Sequence, residues 1–271
     1  MTTQAEKAER FSALHRSEGA FIIPNPWDAG SACMLAALGF EALATTSSGF
    51  AFSLGRVDGA VSLDETLAHC RALCAATDLP VSVDLENGYG DDPAAAATAV
   101  TQAGRAGVVG GSIEDYSGNE SSSIYDVELA VERVSAAVGA ARSLPYPFTL
   151  TARAENLIRG RDDLDDTIRR LQAFEEAGAD VLYAPGLETL DQVRAVTTSV
   201  GKPVNVLGTM IANVTLEQLA ETGAKRVSIG GSLARAAWAP VLTAAAEMLA
   251  RGSFGWTSEL APSAKLEELF R

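Results

Sequence analysis

The sequence has few of the residues that supply nucleophiles, general bases or soft metal ligands in enzymes. Its three cysteines, Cys33, Cys70 and Cys74, are an odd number and fall in helical patterns, which favours reduced thiols in a cytosolic protein. Its two histidines, His15 and His69, also belong to helical segments. A histidine acid–base mechanism is therefore disfavoured.

Basic residues are outnumbered as well. The chain has 21 lysines and arginines against 35 aspartates and glutamates, which gives a formal net charge of −14. This excess of negative charge argues against a nucleic-acid groove and against contact with an anionic membrane surface. An anionic substrate would need a compact cationic pocket or a metal ion to hold it.

Long apolar runs are missing too. The first 20 residues contain no apolar core of the signal-peptide kind, and no apolar run in the chain reaches the length that spans a bilayer. We therefore expect a cytoplasmic protein that makes no membrane contact.

What the sequence does contain is an alternation of short β-rich runs and longer Ala- and Leu-rich helical patterns, eight of each. Several predicted helices end in glycine before the next strand, at Gly39, Gly104, Gly178 and Gly223, which is typical of βαβ units. The predicted strands cover residues 21–24, 42–45, 81–84, 108–113, 148–152, 180–183, 204–206 and 226–229. The predicted helices cover residues 29–38, 63–77, 126–142, 164–177 and 232–249, with others beginning at residues 93, 190 and 216.

Eight such units in 271 residues predict one α/β domain, a (β/α)8 or TIM barrel over residues 1–271. No G-x-G-x-x-G motif follows the first strand, which disfavours a Rossmann dinucleotide site. The segment 251–271 is less periodic and is predicted to contain a short helix over residues 265–270, and we expect it to form a cap over the barrel or a subunit contact.

The active site of such a barrel is built at the carboxyl ends of its strands. None of the four lysines lies there, so a Schiff-base aldolase would have no nucleophile. The polar and small residues that follow the predicted strands, together with the aromatic Trp27, are Asn25, Trp27, Asp28, Thr46, Ser48, Gly49, Asp84, Glu86, Asn87, Glu114, Asp115, Arg153, Glu155 and Asn205.

Three acids among these residues predict a metal site. Asp84 and Glu86 are two positions apart, so the pleat of the third strand would point both side chains to one side, and Glu114 ends the next strand. Carboxylates that converge in a barrel mouth repel one another unless a cation lies between them, and oxygen ligands suit Mg2+ or Mn2+. The alternative is that these are solvated loop acids.

Arg153, at the end of the fifth strand, is the predicted grip for a small anionic carboxylate substrate, because a guanidinium can hold a carboxylate through two parallel hydrogen bonds. The alternative is a structural pair between Arg153 and Glu155. The segment 116–123 is small and polar, and it is either a lid that closes over the substrate or a passive loop.

Five motifs occur in order along the chain: PNPWDA at 24–29, TTSSG at 45–49, VDLENGYG at 83–90, IED at 113–115 and ARAE at 152–155. Together they resemble the isocitrate lyase/phosphoenolpyruvate mutase superfamily, in its phosphoenolpyruvate mutase-like branch. The resemblance covers roughly residues 20–240. It implies an Mg2+-dependent barrel enzyme, a swapped C-terminal helix and a homo-tetramer.

The resemblance also implies roles for individual residues. Asp84 would bind Mg2+ directly, and Glu86 and Glu114 would act directly or through water. Arg153 would hold the substrate carboxylate, with Asp58 at a further acidic position of the family that we count among the catalytic candidates. The residues expected to bind substrate in the pocket are Trp27, Ser48, Gly49, Phe50, Arg153 and Asn205.

The chain departs from the family in the loop after the fourth strand. Isocitrate and methylisocitrate lyases carry a Lys-Lys-Cys-Gly-His type sequence there, and phosphonate-handling members carry Lys and Asn-Ser. This chain has Glu120 and Ser122-Ser123 instead, and the sixth strand ends in Tyr183-Ala184-Pro185-Gly186 where relatives place His or Glu. The proton donor is therefore open between water, Tyr116 and a loop serine.

The sequence leaves three functions in competition. The first is a lyase that cleaves a C–C bond of a small 2-oxo or 2-hydroxy di- or tricarboxylic acid, or decarboxylates it, through a metal-stabilised enolate. The second is phosphoenolpyruvate or phosphonopyruvate mutase or hydrolase chemistry. The third is a catalytically weak barrel that binds an oxo acid.

Overall fold

Eight strands and eleven helices make up the described part of the chain. The computed structural model describes residues 2–119 and 123–271. The strands are β1 (Phe21–Ile23), β2 (Leu43–Ala44), β3 (Val81–Asp84), β4 (Gly110–Glu114), β5 (Thr149–Arg153), β6 (Val181–Tyr183), β7 (Val204–Leu207) and β8 (Arg226–Ser228). The helices are α1 (Gln4–Arg16), α2 (Ala29–Ala37), α3 (Ser47–Ser53), α4 (Leu63–Ala76), α5 (Pro93–Arg105), α6 (Val127–Arg142), α7 (Leu164–Glu176), α8 (Leu190–Ser199), α9 (Leu216–Glu221), α10 (Ser232–Arg251) and α11 (Ser263–Leu269).

All eight strands are parallel and follow the order β1-β8-β7-β6-β5-β4-β3-β2. The two outer strands meet where the amide of Ala44 donates to the carbonyl of Pro24 at 3.1 Å. The sheet is therefore a nearly closed (β/α)8 barrel, and the predicted fold class is confirmed.

The apolar core lies between the outer faces of the strands and the helices that cover them. Leu182 of β6 and Val206 of β7 pack with Leu171 and Phe174 of α7, and all four side chains are fully buried. Burial of each such side chain contributes roughly 1.5–3 kcal/mol. This outer core fixes the strands, so that their inward-facing side chains are free to build a site.

Glycines end several helices, as expected from the sequence, with one exception. Gly39, Gly178 and Gly223 have positive φ of 95°, 99° and 91° at helix C-termini. Gly104 instead lies inside α5, and Gly107, with φ of 104°, makes the left-handed turn. The prediction at Gly104 was wrong because the helix continues to Arg105 and Ala106 caps it before the chain turns at Gly107.

Two helices were not predicted. The N-terminus of helix α1 is stabilised by a capping box between Thr3 and Glu6, and the side chain of Phe11 in this helix is fully buried. Helix α3 follows β2 directly within the Ser-Ser-Gly segment, with the side chain of Thr46 accepting from the amide of Gly49. Helix α3 is only seven residues long and contains serine and glycine, so its intrinsic helix propensity is weak and tertiary packing decides whether it forms.

The C-terminal helices leave apolar side chains exposed. Leu242 and Leu249 of α10 are 70% and 89% exposed, and Phe254 and Phe270 of the tail are also exposed. Helix α11 packs against α2 on the outside of the barrel. Among the helices of the described residues, none has the length and apolar character needed to cross a bilayer.

Candidate active site at the barrel mouth

Arg153 lies at the centre of a cluster of charged side chains at the carboxyl ends of the strands. Its Nη1 donates to Oδ1 of Asp84 at 2.9 Å, its Nη2 lies 3.1 Å from Oε2 of Glu114, and its Nε and Nη2 donate to Oε1 of Glu155 at 3.0 and 2.8 Å. The guanidinium of Arg153 therefore forms ion pairs with three carboxylates. The pair between Arg153 and Glu155, which was the alternative to a substrate grip, is present, and the grip itself stays a prediction.

Strand register brings these residues together. Glu114 of β4 is the cross-strand partner of Arg153 of β5, and Asp84 of β3 is the partner of Ser112 of β4. The hydroxyl of Ser112 donates to Oδ1 of Asp84 at 3.3 Å, and the amide of Asp84 donates to Oγ1 of Thr45 at 2.9 Å. Asp84 is thus held on both sides by neighbouring strands.

Glu86 reaches the site by a turn and not by the pleat of a strand. Strand β3 ends at Asp84, and Glu86 has a positive φ of 49°, so the expectation that alternation alone aims both side chains was wrong. The amide of Glu86 donates to Oδ1 of Asp84 at 3.2 Å, which pins the turn. A left-handed non-glycine residue is costly and concentrates at functional sites.

Burial and like charges together raise the pKa values of the acids. Burial, with the nearby Asp84 and Asp58 carboxylates, raises the pKa of Glu86 to about 7. Burial also raises the pKa of Glu114 well above its ordinary value, against the opposing effect of Arg153. Acids that ionise this reluctantly are expected where a cation is to be bound.

The donor set suits a hard divalent cation, although the side chains of Asp84 and Glu114 are turned toward Arg153. Asp84, Glu86 and Glu114 offer only carboxylate oxygens, the ligands that Mg2+ and Mn2+ prefer. Within residues 2–119 and 123–271, no three His, Cys, Asp or Glu side chains are arranged around a common metal position. The cluster fits such an ion in chemistry and charge, with Arg153 as the cation that now balances it.

Two adjoining cavities open at this mouth. The inner cavity, of about 250 Å3, descends into the barrel and is lined by Asp84, Arg153 and Asn205. The outer one, of about 430 Å3, is lined by Glu86, Glu114 and Tyr116. The residues that line both are Ser47, Asp58, Arg153 and Arg159.

The structure places only part of the predicted pocket wall at these cavities. Ser48 lines the inner cavity, whereas Trp27, Gly49 and Phe50 line neither. The ring of Phe50 stacks on His69 of α4, with ring centroids 3.9 Å apart. A Cβ on Gly49 would lie 3.2 Å from the Cβ atoms of Trp27 and Ala234. Gly49 and Trp27 therefore pack against each other behind the residues that line the cavity.

Arg159 is a site residue that the sequence did not reveal. Its Nη2 lies 3.4 Å from Oε2 of Glu155 and 3.8 Å from Oε1 of Glu114, and its guanidinium lies 3.5 Å from the centroid of the Tyr116 ring. The four-residue spacing from Glu155 was the signal that could have found it.

Tyr116 begins the segment predicted as a lid, and it forms an antiparallel bridge with Ile124. Residues 120–122, which include Glu120 and Ser122 of that prediction, lie outside the described residues.

Other predicted strand-end residues support the site from behind. Asp115 accepts from the amide of Glu155 at 2.8 Å and from Arg170 of α7 at 3.1 Å. Asn25 donates to the carbonyl of Thr45 and accepts from the amide of Ile229. Asp115 lines neither cavity, whereas Asn25 also lines the inner cavity and Asn87 the outer one. Asp28 caps α2, and Asn87 accepts from the amide of Tyr89 within its turn.

A parallel (β/α)8 barrel with charged side chains clustered at the carboxyl ends of its strands has the architecture of a barrel enzyme, whose active site is built there. Within that class, the chain belongs to the phosphoenolpyruvate phosphomutase family, which it matches over residues 11–249. The resemblance drawn from the five motifs is thereby confirmed.

Individual relatives agree with this assignment. A Burkholderia cenocepacia structure provisionally described as a lyase/mutase is 55% identical, covers 98% of this chain and 96% of that one, and has a TM-score of 0.95. The 2-methylisocitrate lyase of Halalkalibacterium halodurans is 29% identical over 79% of this chain and 69% of that enzyme. The structure of 2,3-dimethylmalate lyase is 26% identical, covers 100% of this chain and 96% of that one, and has a TM-score of 0.85.

Proposed function

We propose that this protein is an Mg2+-dependent lyase that cleaves a C–C bond of a small 2-oxo or 2-hydroxy di- or tricarboxylic acid, or decarboxylates it. The observation that carries the proposal is the convergence of three carboxylates on Arg153 at the barrel mouth. The matched 2-methylisocitrate lyase and 2,3-dimethylmalate lyase are named for C–C cleavage of such acids, and this supports the reaction type.

Asp84, Glu86 and Glu114 would hold the divalent cation. When bound, Mg2+ or Mn2+ would stabilise the negative charge that develops on a 2-oxo group as the bond between the carbons α and β to that group breaks. The raised pKa of Glu86, near 7, supports this assignment, because a cation would relieve the repulsion that Asp84 and Asp58 exert on that carboxylate.

Arg153 would bind the substrate carboxylate without losing its own anchor. Its Nε and Nη2 both donate to Glu155, whose side chain is 1% exposed, while Nη1 faces Asp84 and the inner cavity. The edge that carries Nη1 is therefore the one available to a ligand. A charge-assisted pair of this kind fixes both the position and the orientation of a carboxylate.

Proton transfer at the cleaved bond would fall to Asp58 or Tyr116. Asp58 is exposed at the mouth and lines both cavities, and Tyr116 lines the outer one beneath the Arg159 guanidinium. Arg159, one-third exposed and held by Glu155, can orient an anionic group that enters from the outer cavity.

The test is a substrate panel assayed with Mg2+ and again with a chelator. Oxaloacetate, 2-methylisocitrate and 2,3-dimethylmalate should include at least one acid that releases pyruvate, together with CO2, succinate or propionate respectively, only when the metal is present. Turnover that is unchanged by the chelator would contradict the proposal. Mg2+-dependent oxalate binding without turnover of any acid would favour the oxo-acid-binding barrel.

Phosphonopyruvate and phosphoenolpyruvate form the second candidate substrate class. The match to the phosphoenolpyruvate phosphomutase family and to a Burkholderia protein described as a lyase/mutase favours including them. Conversion of phosphonopyruvate at a higher kcat/KM than any carboxylic acid of the panel would select this candidate and reject C–C cleavage.

We also propose that the protein is cytoplasmic and forms a homo-tetramer with a swapped C-terminal helix. The three cysteines are unpaired, which suits a reducing compartment. The apolar side chains that α10 exposes, including Leu242 and Leu249, would be covered by a neighbouring subunit. Light scattering should give four times the mass of one chain, and a Leu242→Glu variant should give a smaller species.

A further inference from the structure

Arg226 is a buried cation below the acid cluster. It is the first residue of β8, and its side chain lies inside the barrel with 5% of the residue exposed. Its Nε donates to Oδ1 of Asn205 at 2.8 Å, its Nη2 donates to Oγ1 of Thr151 at 2.9 Å, and its Nη1 lies 3.3 Å from Nε2 of His15. Each nitrogen of the guanidinium therefore has one partner.

All three partners are neutral. Nδ1 of His15 lies 2.8 Å from the carbonyl of Phe11, and burial, together with the nearby Arg226, lowers the pKa of His15 to about 3. The ring is therefore uncharged at neutral pH, with Nδ1 as the donor and Nε2 as the acceptor. Burial lowers the pKa of Arg226 only to about 10, so the guanidinium keeps its charge.

No carboxylate of the described residues lies within ion-pair distance of Arg226. A guanidinium has five N–H donors, and three are used by Asn205, Thr151 and His15. One donor on each terminal nitrogen is left for a further acceptor. A buried charge is costly without a counter-ion, so an anion beside Arg226 would be stabilising.

The space for such an anion is the inner cavity itself. Arg226 lines this cavity of about 250 Å3 together with Asp84 and Arg153. Thr151, which contacts Arg226, and Arg153 alternate with a single residue between them on β5, so their side chains point the same way and start about 6.6–7 Å apart along the strand. Arg226 is thus the floor of the cavity whose upper rim carries Arg153.

Charge is distributed unevenly along this cavity. At the rim, three carboxylates surround one guanidinium, and at the floor a guanidinium has only neutral partners. The walls between them carry small hydroxyl side chains, from Ser82, Ser112 and Ser228. A monocarboxylate bound at the rim would leave the floor without an anion, whereas a slender diacid would supply one.

We propose that Arg226 binds the distal carboxylate of a dicarboxylic 2-oxo acid whose 2-oxo end lies at the rim beside Arg153. This inference rests on the proposed function and narrows it to unbranched or lightly branched diacids that fit between the two guanidiniums. Asn205 has a positioning role, because it accepts from Nε of Arg226 and donates to Ser228 at 2.9 Å.

The first experiment compares two ligands in the presence of Mg2+. The probes are pyruvate, which has one carboxylate, and 3,3-difluorooxaloacetate, a diacid that cannot enolise. In Arg226→Met the Kd of the diacid should rise about tenfold or more, because a charge-assisted contact is lost, while that of pyruvate should change less than threefold. Arg226→Lys should recover part of the diacid affinity. An equal loss for both probes, or none for the diacid, overturns the proposal.

A second experiment needs no substitution and so does not depend on the variants folding. The wild-type protein should bind 3,3-difluorooxaloacetate about tenfold or more tightly than its 4-methyl ester, which lacks the distal charge. Equal affinity would overturn the proposal.

Oxalate separates a failure of this inference from a failure of the proposed function. Oxalate can occupy the rim alone, so its Mg2+-dependent binding should be the same in wild type, in Arg226→Met and in the control Arg142→Met, which removes a half-exposed arginine paired with Asp180. If the wild-type protein shows no Mg2+-dependent oxalate binding, the metal-dependent site as a whole is rejected. Retained oxalate binding without diacid preference would reject only the role of Arg226.

Discussion

Nη1 of Arg153 lies 2.9 Å from Oδ1 of Asp84, and both side chains are largely buried, 14% and 16% exposed. The pair joins the residue proposed to bind the substrate carboxylate to the residue proposed to bind the metal. A buried charge pair of this kind is sensitive to the loss of either partner, because the remaining charge is left uncompensated. The two residues can therefore be tested separately.

Replacing Arg153 by methionine should lower kcat/KM for the best carboxylic acid about 100-fold or more. Two charge-assisted hydrogen bonds to a carboxylate are each worth about 1.5–3 kcal/mol, and each factor of ten corresponds to about 1.4 kcal/mol. Steady-state kinetics measure the change. Arg142→Met is the matched control, since Arg142 pairs with Asp180 and its side chain is half exposed. A comparable loss of activity in the control would mean that the effect is not local to the site.

Replacing Asp84 by asparagine should weaken Mg2+ binding about tenfold or more, because a charged oxygen ligand is exchanged for a neutral one. Isothermal titration with Mg2+ and with Mn2+ measures the affinity. Asp191→Asn is the control, since the side chain of Asp191 is 97% exposed and pairs only with Arg194 of its own helix. Unchanged metal affinity in Asp84→Asn would contradict the assignment of this carboxylate as a ligand.

Replacing Arg170 by methionine should destabilise the fold by about 3–5 kcal/mol, the range observed when one partner of a buried ion pair is removed. Arg170 and Asp115 are 5% and 1% exposed and lie 3.1 Å apart, and Arg170 also donates to the carbonyl of Tyr125. Urea unfolding measures the change. Adding Asp115→Asn to the variant should restore part of the stability, and strictly additive losses would show that the pair is not coupled.

His15 should contribute a loss of stability as the pH is lowered through about 6.5 toward 3, whereas the raised pKa of Glu86 acts in the opposite direction. Burial lowers the pKa of His15 to about 3, so between these pH values the unfolded chain binds a proton that the native protein does not. Between pH 6.5 and 4.5 this one group removes about 2 kcal/mol of stability.

His15→Gln keeps a polar side chain near Arg226 but cannot titrate. Relative to this variant, the wild type should therefore lose unfolding free energy progressively as the pH falls below 6.5, and the difference between the two proteins should be constant above it. Urea titrations at several pH values give both slopes. Identical slopes below pH 6.5 would show that His15 titrates normally in the folded protein.

The fold could be predicted from the sequence because its pattern is local. Apolar runs such as 81–84 and 226–229, separated by amphipathic helices with glycine after their ends, specify parallel strands with little ambiguity. Helix α3 (Ser47–Ser53) could not be predicted, since its Ser-Ser-Gly composition favours loops and only packing against α10 makes a helix favourable there.

The candidate site was predictable in its members and less so in its geometry. Asp84, Glu114 and Arg153 stand at strand ends, where barrel geometry makes them meet. Glu86 was placed near them for an incorrect reason, since a left-handed turn and not the strand pleat aims it. Phe50 was expected at the pocket, but its ring stacks on His69.

By itself the sequence determined the barrel, the family and the acids and arginine at the strand ends, because these follow from local periodicity and motifs. Only the tertiary structure brought Arg159 against Tyr116 and placed Arg226 at the floor of the inner cavity. Those relationships join residues that are distant in the chain, and the direction of each long side chain is set by the neighbours it meets after the barrel has closed.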